Sequence, residues 1–330
     1  MSHNPRHPGT PDGPVPAFVA TTGGHLVQLS HLARVVEPER HERGLWITHR
    51  TPQSESMMAD KRVHFVPFVH ARRWDQVLAR TPLLLQLLRK AGVDVVYSTG
   101  AAVSLSALPL APLVGVSPVF IESLARYDRP SAAGRVLERL PWVDRYTQYP
   151  RNAGPRWRHE FSLLDSFALG QPHAASTPRR VLVTLGTTRP WGFERLVRHV
   201  SAILPQGSEV VWQTGATDVS HLPLVGTVRS FMSDDEFQAE IMRADVVVSH
   251  AGVGTFIRCL EAGKVPLLVP RRSAHGEHVD DHQMQIATVS RERGLAVVRE
   301  ADEISFPDLC SAAAMSVVST RRPARRGDGA

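Results

Sequence analysis

Lysine is nearly missing from this 330-residue sequence: Lys61, Lys90 and Lys264 stand against 35 arginines. Cysteine is scarcer still. Cys259 and Cys310 cannot build a disulfide framework or a cysteine-rich zinc site, and a reducing cytoplasm is the expected compartment. No run approaches 18 consecutive apolar residues, which excludes a membrane-spanning helix. Aromatics make up 6% of the chain and do not interleave with basic runs, so nucleic acid is not an expected partner. The net charge of +6 leaves two partner classes, an anionic membrane surface and phosphorylated ligands.

What is present is enough to fold. Apolar residues reach 42% and charged ones 21%, which excludes disorder of the whole chain. The length favours two domains. The opening MSHNPRHPGTPDGPVP is polar and proline-rich, with no apolar h-region. It reads as a disordered lead-in over 1–16, not as a signal peptide. The closing TRRPARRGDGA reads as a disordered basic tail over 319–330.

Between these ends one pattern repeats: a short β-branched apolar run, a Gly/Ser/Thr turn, then a helical stretch. That is the signature of βα units on a parallel sheet. In the first half strands are expected at 17–21, 45–48, 64–68, 93–98, 118–122 and 144–149, with helices at 24–36, 74–90 and 101–113. Residues 151–179 lack periodicity and are broken by Pro155, Gly170, Pro172 and Pro178, as expected of a junction. The pattern then restarts. Strands are expected at 180–185, 209–213, 224–227, 245–249, 266–270 and 296–298, and helices at 193–204, 235–243, 254–262 and 282–293. The fold class is α/β: two doubly wound parallel-sheet domains, over 17–150 and 180–318, facing across a cleft. Ligands in such sheets sit beyond the carboxyl ends of the strands.

Three strand-to-helix turns have the inventory for chemistry. In Thr21-Thr22-Gly23-Gly24-His25, paired glycines let backbone approach a ligand and the following helix start favours an anion. An ordinary capping turn remains the alternative. In Leu185-Gly186-Thr187-Thr188 a glycine and hydroxyls at a strand end suit phosphate or sugar oxygens. Ser249-His250-Ala251-Gly252-Val253-Gly254-Thr255 opens a helix with two glycines and a threonine, which fits a diphosphate. It is neither the dinucleotide fingerprint nor a Walker loop, which disfavours NAD and ATP. A polar cluster follows the next strand: Arg271, Arg272, His275, Glu277, His278, Asp280, Asp281, His282 and Gln283. His275, His278 and His282 could converge on a metal, but no H-E-x-x-H helix supports that, and a hydrogen-bonding shelf for a sugar is the stronger reading. In the first half Glu122, Ser123 and Arg126 close a strand, and Glu122 is either a structural partner of Arg126 or a site residue.

Taken together these motifs resemble the bipartite glycosyltransferases that act on lipid-linked sugars. TTGGHLVQL, DVVYSTGAAVSLSAL, VFIESLAR and DRYTQYP resemble the Alg14-type acceptor subunit. VLVTLGTT, FERLV, VVWQTG, ADVVVSHAGVGT, KVPLLVPR and GEHVDDHQ resemble the Alg13-type donor subunit, with the MurG type more distant. Here both halves would share one polypeptide. The resemblance implies the GT-B fold and inverting transfer from a UDP-sugar, with no metal or other cofactor required. It implies an acceptor such as a polyprenyl-diphosphate sugar at the cytoplasmic membrane face, in polysaccharide or glycolipid assembly. The donor would then be held by Gly186, Thr187, Thr188, His250, Gly252, Val253, Gly254, Thr255, Glu277, His278, His282 and Gln283. The acceptor would meet Gly23, Gly24, Ser98, Gly100, Ser123 and Arg126. Two positions depart from the pattern: Thr21 stands where the loop usually begins with Gly, and Arg258 where relatives carry a carboxylate for the ribose. Glu261, one turn on, is the substitute candidate. An N-terminal membrane anchor, frequent in the acceptor subunits, is not read from the sequence.

Inverting transfer needs a general base for the acceptor hydroxyl. His25 is the first candidate, because a histidine titrates near working pH and a helix start keeps it neutral. Glu122 is the second; Arg126 beside it would depress its basicity. Leu83, Leu84, Leu85, Leu87 and Leu88, flanked by Arg72, Arg73, Arg80, Arg89 and Lys90, read first as a core helix with most leucines inward; the arginines and one or two surface leucines would be the peripheral contact with an anionic membrane. The rival functions are a UDP-sugar 2-epimerase-like isomerase and a non-catalytic nucleotide-sugar-binding protein.

Overall fold

The computed structural model describes residues 13–70, 72–173, 177–187 and 190–320. The chain divides into two compact units, Met1–Phe161 and Ser162–Ala330.

The first unit runs β1 (Val15–Val19), α1 (Gly24–Val36), β2 (Leu45–His49), α2 (Pro52–Met57), β3 (Val63–Val66), α3 (Trp74–Lys90), β4 (Val93–Ser98), α4 (Ala102–Ala107), β5 (Ser117–Ile121), α5 (Ala132–Leu137) and β6 (Asp144–Tyr146). Its six strands form one parallel sheet in the order β3-β2-β1-β4-β5-β6. The second unit runs β7 (Phe167–Leu169), β8 (Arg180–Thr184), α6 (Glu194–Ile203), β9 (Glu209–Gln213), β10 (Thr227–Arg229), α7 (Asp234–Arg243), β11 (Val246–His250), α8 (Val253–Glu261), β12 (Leu267–Val269), α9 (Gln283–Glu292), β13 (Val297–Val298), α10 (Phe306–Ala314) and β14 (Val317–Ser319). Its parallel sheet has the same winding, β10-β9-β8-β11-β12-β13, and β7 pairs antiparallel with β14.

Alternation along the strands explains why both faces of each sheet are covered. Val15, Ala17 and Val19 of β1 pack into one core, while Phe18 and Ala20 enter another. In the second unit Val181 and Val183 go one way and Leu182 the other; Val246 and Val248 are likewise opposed to Val247.

Several expected boundaries move for identifiable reasons. The helix expected at 101–113 breaks into α4 and a 3-10 turn at Ala111–Val114. Pro109 and Pro112 cannot supply the N–H groups a continuous helix needs. The strand expected at 224–227 is instead β10, because Gly226 has φ 104° and packs on the Val210 carbonyl, so the chain is still turning there. The strand expected at 144–149 ends at Tyr146; beyond it the buried Gln148 side chain donates to the carbonyl of Glu122. β1 begins at Val15, inside the expected lead-in, because Val15 takes a hydrogen bond partner in the Gly92 carbonyl. Residues 151–161 group with the first unit, where Trp157 packs into the core, and β7 groups with the second. The helices α2, α5 and α10 were not expected at all.

Candidate functional site

A sheet wound outward in both directions from its first strand has one switch point. The turns leaving the two strands that flank it diverge and open a crevice there. In the second unit those strands are β8 and β11, and the turns leaving them are Leu185-Gly186-Thr187 and Ala251-Gly252. The structure brings these two turns together through one imidazole. A Cβ on Gly186 would lie 2.6 Å from Nε2 of His250, and a Cβ on Gly252 would lie 2.2 Å from the same atom. Only glycine can stand on either side of that ring. Gly186 also has φ 74°, which glycine adopts without strain.

α8 starts at this point with Gly252 as its N-cap, no side-chain cap and no acid in its first turn. Its first-turn N–H groups therefore lack the usual internal partner. By contrast α7, away from the switch point, is closed by a Ser233–Glu236 capping box and three acids. Val253 and Thr255 are buried in the first turn of α8, and Gly254 is half-buried beside them. Thr187 is exposed, and Thr188 lies outside the described residues.

The charge at this site is carried by Arg271, just beyond β12. It is 1% exposed. Its guanidinium donates to the carbonyl of Leu185 and lies 5.7 Å from the Phe193 ring. Its Nε has no hydrogen-bond partner, and among the described residues it makes no ion pair. Burial lowers it to about 10, still charged at neutral pH. Burial, helped by the charge of Arg271, holds His250 down at about 3, so that ring is neutral. His278 is held at about 4 by burial, with His282 and Arg271 adding to the effect. A buried cation without a carboxylate, uncapped N–H groups and neutral imidazoles make a site short of negative charge.

Two expected donor residues have other work. Glu277 is buried, and its carboxylate takes Arg195 at 3.0 and 3.2 Å and the backbone N–H of Arg272 at 2.9 Å. It fastens the loop after β12 to α6. Gln283 is buried at the start of α9, where its Oε1 accepts from the N–H of Arg271 at 3.0 Å. His278 stacks on Trp191 and meets the His282 ring edge-on at 4.7 Å.

In the first unit the switch point lies between β1 and β4. Gly23 (φ 84°) is the N-cap of α1, which again lacks a side-chain cap and a first-turn acid, and His25 is the second residue of that helix. Thr99 donates from its hydroxyl to the His25 carbonyl at 3.1 Å. A Cβ on Gly100 would lie 3.2 Å from the His25 ring, so the β4 turn packs on the imidazole. Next to it Ala101 holds φ 63°, a left-handed conformation that an alanine adopts only under constraint. Ser98 is buried and donates to the Val19 carbonyl at 2.6 Å, joining β4 to β1. Thus Gly23, Gly24, His25, Ser98 and Gly100 come together. Glu122 is placed differently. It is 3% exposed, and its two oxygens accept from the N–H groups of Ser123 at 3.0 Å and Ser131 at 2.8 Å. Burial raises it above the usual carboxylate range even so. Ser123 is buried and receives the Gln28 amide at 3.0 Å. Arg126 forms no ion pair with Glu122.

The departure at Arg258 has a local explanation. Its guanidinium is buried on α8 and pairs with Asp234 at 2.5 Å and Gln238 at 3.3 Å, both on α7. It locks α7 to α8. Replacing Arg258 by methionine is expected to cost about 3–5 kcal/mol in urea unfolding, because Asp234 is left buried and unpaired. The double replacement Asp234→Asn/Arg258→Met should recover a substantial part of that loss.

Comparison with known proteins follows the same division. Residues 180–303 match the glycosyltransferase family 28 C-terminal domain. The UDP-N-acetylglucosamine transferase subunit ALG13 of Yarrowia lipolytica is 33% identical over 145 residues, covering 39% of this chain and 70% of that protein. The chain belongs to the MurG- and ALG13-like GT-B glycosyltransferases. A Cupriavidus metallidurans relative is 26% identical over 314 residues, covering 87% of this glycosyltransferase and 85% of its own length. It is the UDP-N-acetylglucosamine–N-acetylmuramyl-(pentapeptide) pyrophosphoryl-undecaprenol N-acetylglucosamine transferase. In fold, this glycosyltransferase is similar to MurG of Acinetobacter baumannii, with a TM-score of 0.54 over 90% of this chain and 89% of that one, at 18% identity.

Proposed function

We propose that this glycosyltransferase inverts the anomeric centre of a UDP-sugar as it moves the sugar to a lipid-linked acceptor, of the polyprenyl-diphosphate-sugar type. The observation that carries the donor half of the reading is the His250 wedge between Gly186 and Gly252 at the β8/β11 switch point, beside the unpaired Arg271. There the diphosphate meets N–H groups of α8 and the buried Arg271, which among the described residues makes no ion pair. His278, held neutral by burial, suits sugar hydroxyls together with His282 and Gln283. No catalytic metal enters this reading, because Arg271 and the α8 N-terminus supply the charge a leaving UDP requires. N-acetylglucosamine is the first sugar to try, since the relatives transfer it.

A donor screen scored by UDP release, with a polyprenyl-diphosphate sugar as acceptor, tests the reaction. Release that depends on acceptor supports transfer. Epimer formation without acceptor, or UDP binding with no turnover on any lipid acceptor, overturns it.

The acceptor chemistry places the enzyme at the cytoplasmic face of a membrane, held peripherally. Among the described residues no helix is long and apolar enough to cross one. The leucines pack inward as the core-helix reading expects: Leu84 and Leu88 are fully buried, with Leu83 and Leu87 packed on the same core. The apolar surface lies earlier on α3, where Trp74 is 52% and Leu78 70% exposed, next to exposed Arg72 and Arg73. An amphipathic surface of that kind rests on anionic lipid. Salt-sensitive sedimentation with phosphatidylglycerol vesicles is expected, and it should fall in Trp74→Ser/Leu78→Ser. No sedimentation at low salt would remove the membrane from the scheme.

A further inference from the structure

The loop between β12 and α9 carries a second pattern that sugar recognition does not account for. His278, Asp280 and His282 alternate along it, and the structure turns all three side chains to one place. One ligating atom from each lies within 4.8 Å of the other two. Nδ1 of His282 is bonded to Oδ1 of Asp280, and Nδ1 of His278 lies 3.7 Å from that same oxygen. That His278 nitrogen is buried and has no hydrogen-bond partner. His275, the third histidine suggested by spacing, is exposed on the preceding 3-10 turn and is not part of the group.

We propose that His278, Asp280 and His282 bind one divalent cation of the zinc class, with the remaining coordination positions open. Two imidazoles and one carboxylate suit Zn²⁺, Co²⁺ or Ni²⁺, whereas Mg²⁺ and Ca²⁺ favour all-oxygen shells. Ligand atoms about 2.0–2.2 Å from a zinc stand roughly 3.3–3.5 Å apart in a tetrahedron. The widest separation needs to close by up to about 1.3–1.5 Å to reach that spacing, and the hydrogen-bonded Asp280–His282 pair needs to open. Asp280 is exposed on its loop and has room to do so, while the stack on Trp191 steadies His278. The cation replaces the hydrogen bond between Asp280 and His282, the ring proton of His282 passing through solvent to Nε2 so that Nδ1 can ligate, and it takes up the lone pair of His278. Arg271 opposes a positive ion here, and the Asp280 carboxylate offsets it. The metal has no part in the transfer step. It occupies two side chains that the donor reading assigns to the sugar, so metal and UDP-sugar exclude one another. That exclusion rests on the donor reading; metal binding does not.

The test uses the full chain, stripped with chelator and titrated with Co²⁺ without nucleotide. Visible d–d bands at a stoichiometry of one are expected, displaced by Zn²⁺ and untouched by Mg²⁺. His278→Ala and His282→Ala should lose the bands, Asp280→Asn should weaken binding at least tenfold, and His275→Ala should keep them. Circular dichroism melting separates loss of the site from loss of the fold. Absence of bands in the wild type, or equal bands in folded His278→Ala and His282→Ala, overturns the site. The exclusion is read separately, from the Co²⁺ affinity with and without a saturating UDP-sugar. Unchanged affinity overturns the exclusion and leaves the metal site standing, while calorimetry with UDP alone tests the donor reading itself.

Discussion

His25→Ala is expected to lower kcat by about 10²–10⁴, the usual cost of losing a general base, with affinity for UDP unchanged. The imidazole sits in the first turn of α1, whose N-terminus is uncapped. In the proposed role the ring takes the acceptor's hydroxyl proton as that hydroxyl attacks. The Gly100 turn packs against the ring and limits where it can point. Affinity for UDP stays because every proposed diphosphate group belongs to the other unit. Steady-state kinetics with the true acceptor, and calorimetry with UDP, separate the two effects. Near-normal turnover would take His25 out of the mechanism. Glu122 is a poor reserve, since its buried oxygens already hold the N–H groups of Ser123 and Ser131.

Gly252→Val should weaken UDP binding by about 100-fold or more, which is roughly 2.7 kcal/mol. Any Cβ at this position meets the His250 ring at 2.2 Å, so the imidazole must leave its place against Gly186. A branched side chain would also cover the first N–H groups of α8. Catalysis measured at saturating donor should suffer less than affinity, because the base is elsewhere. Unchanged UDP affinity by calorimetry would show that the diphosphate does not sit at α8.

The doubly wound halves could be read from the chain because the buried strands are short apolar runs and those at the two switch points, β1, β4, β8 and β11, lead into glycine turns. α3, at 17 residues, spans enough turns for its period to show, and its ends fall where expected. α2 and α5 have six residues each, less than two turns, so periodicity could not reveal them. Their signals were local: Thr51 in a capping box with Ser54 and Pro52 at the first helical position, and Ser131 as an N-cap. The Ser305–Asp308 box announced α10 in the same way. At the candidate site, the glycines and histidines stood out by type. Glu122 stayed ambiguous in sequence because its partner N–H at Ser131 comes from nine residues on, and backbone donors leave no trace there. Arg271 was visible only as one of many polar residues; what sets it apart is that it is buried and, among the described residues, makes no ion pair, the nearby Glu277 carboxylate being taken by Arg195. Arg258 looked like a loss at the ribose until Asp234, 24 residues earlier, was seen against it.

The antiparallel pair of β7 and β14 has a consequence for how such a chain can be assembled. Leu169 lies opposite Val317, and Phe167 opposite Ser319. The polypeptide therefore enters and leaves the second unit at one spot, like a clasp closing a bracelet. A segment with adjoining ends can be cut out, fused or circularly rejoined without rethreading its sheet. This gives a physical basis for a unit whose residues 180–303 match a family model by themselves being able to stand alone or be joined to another.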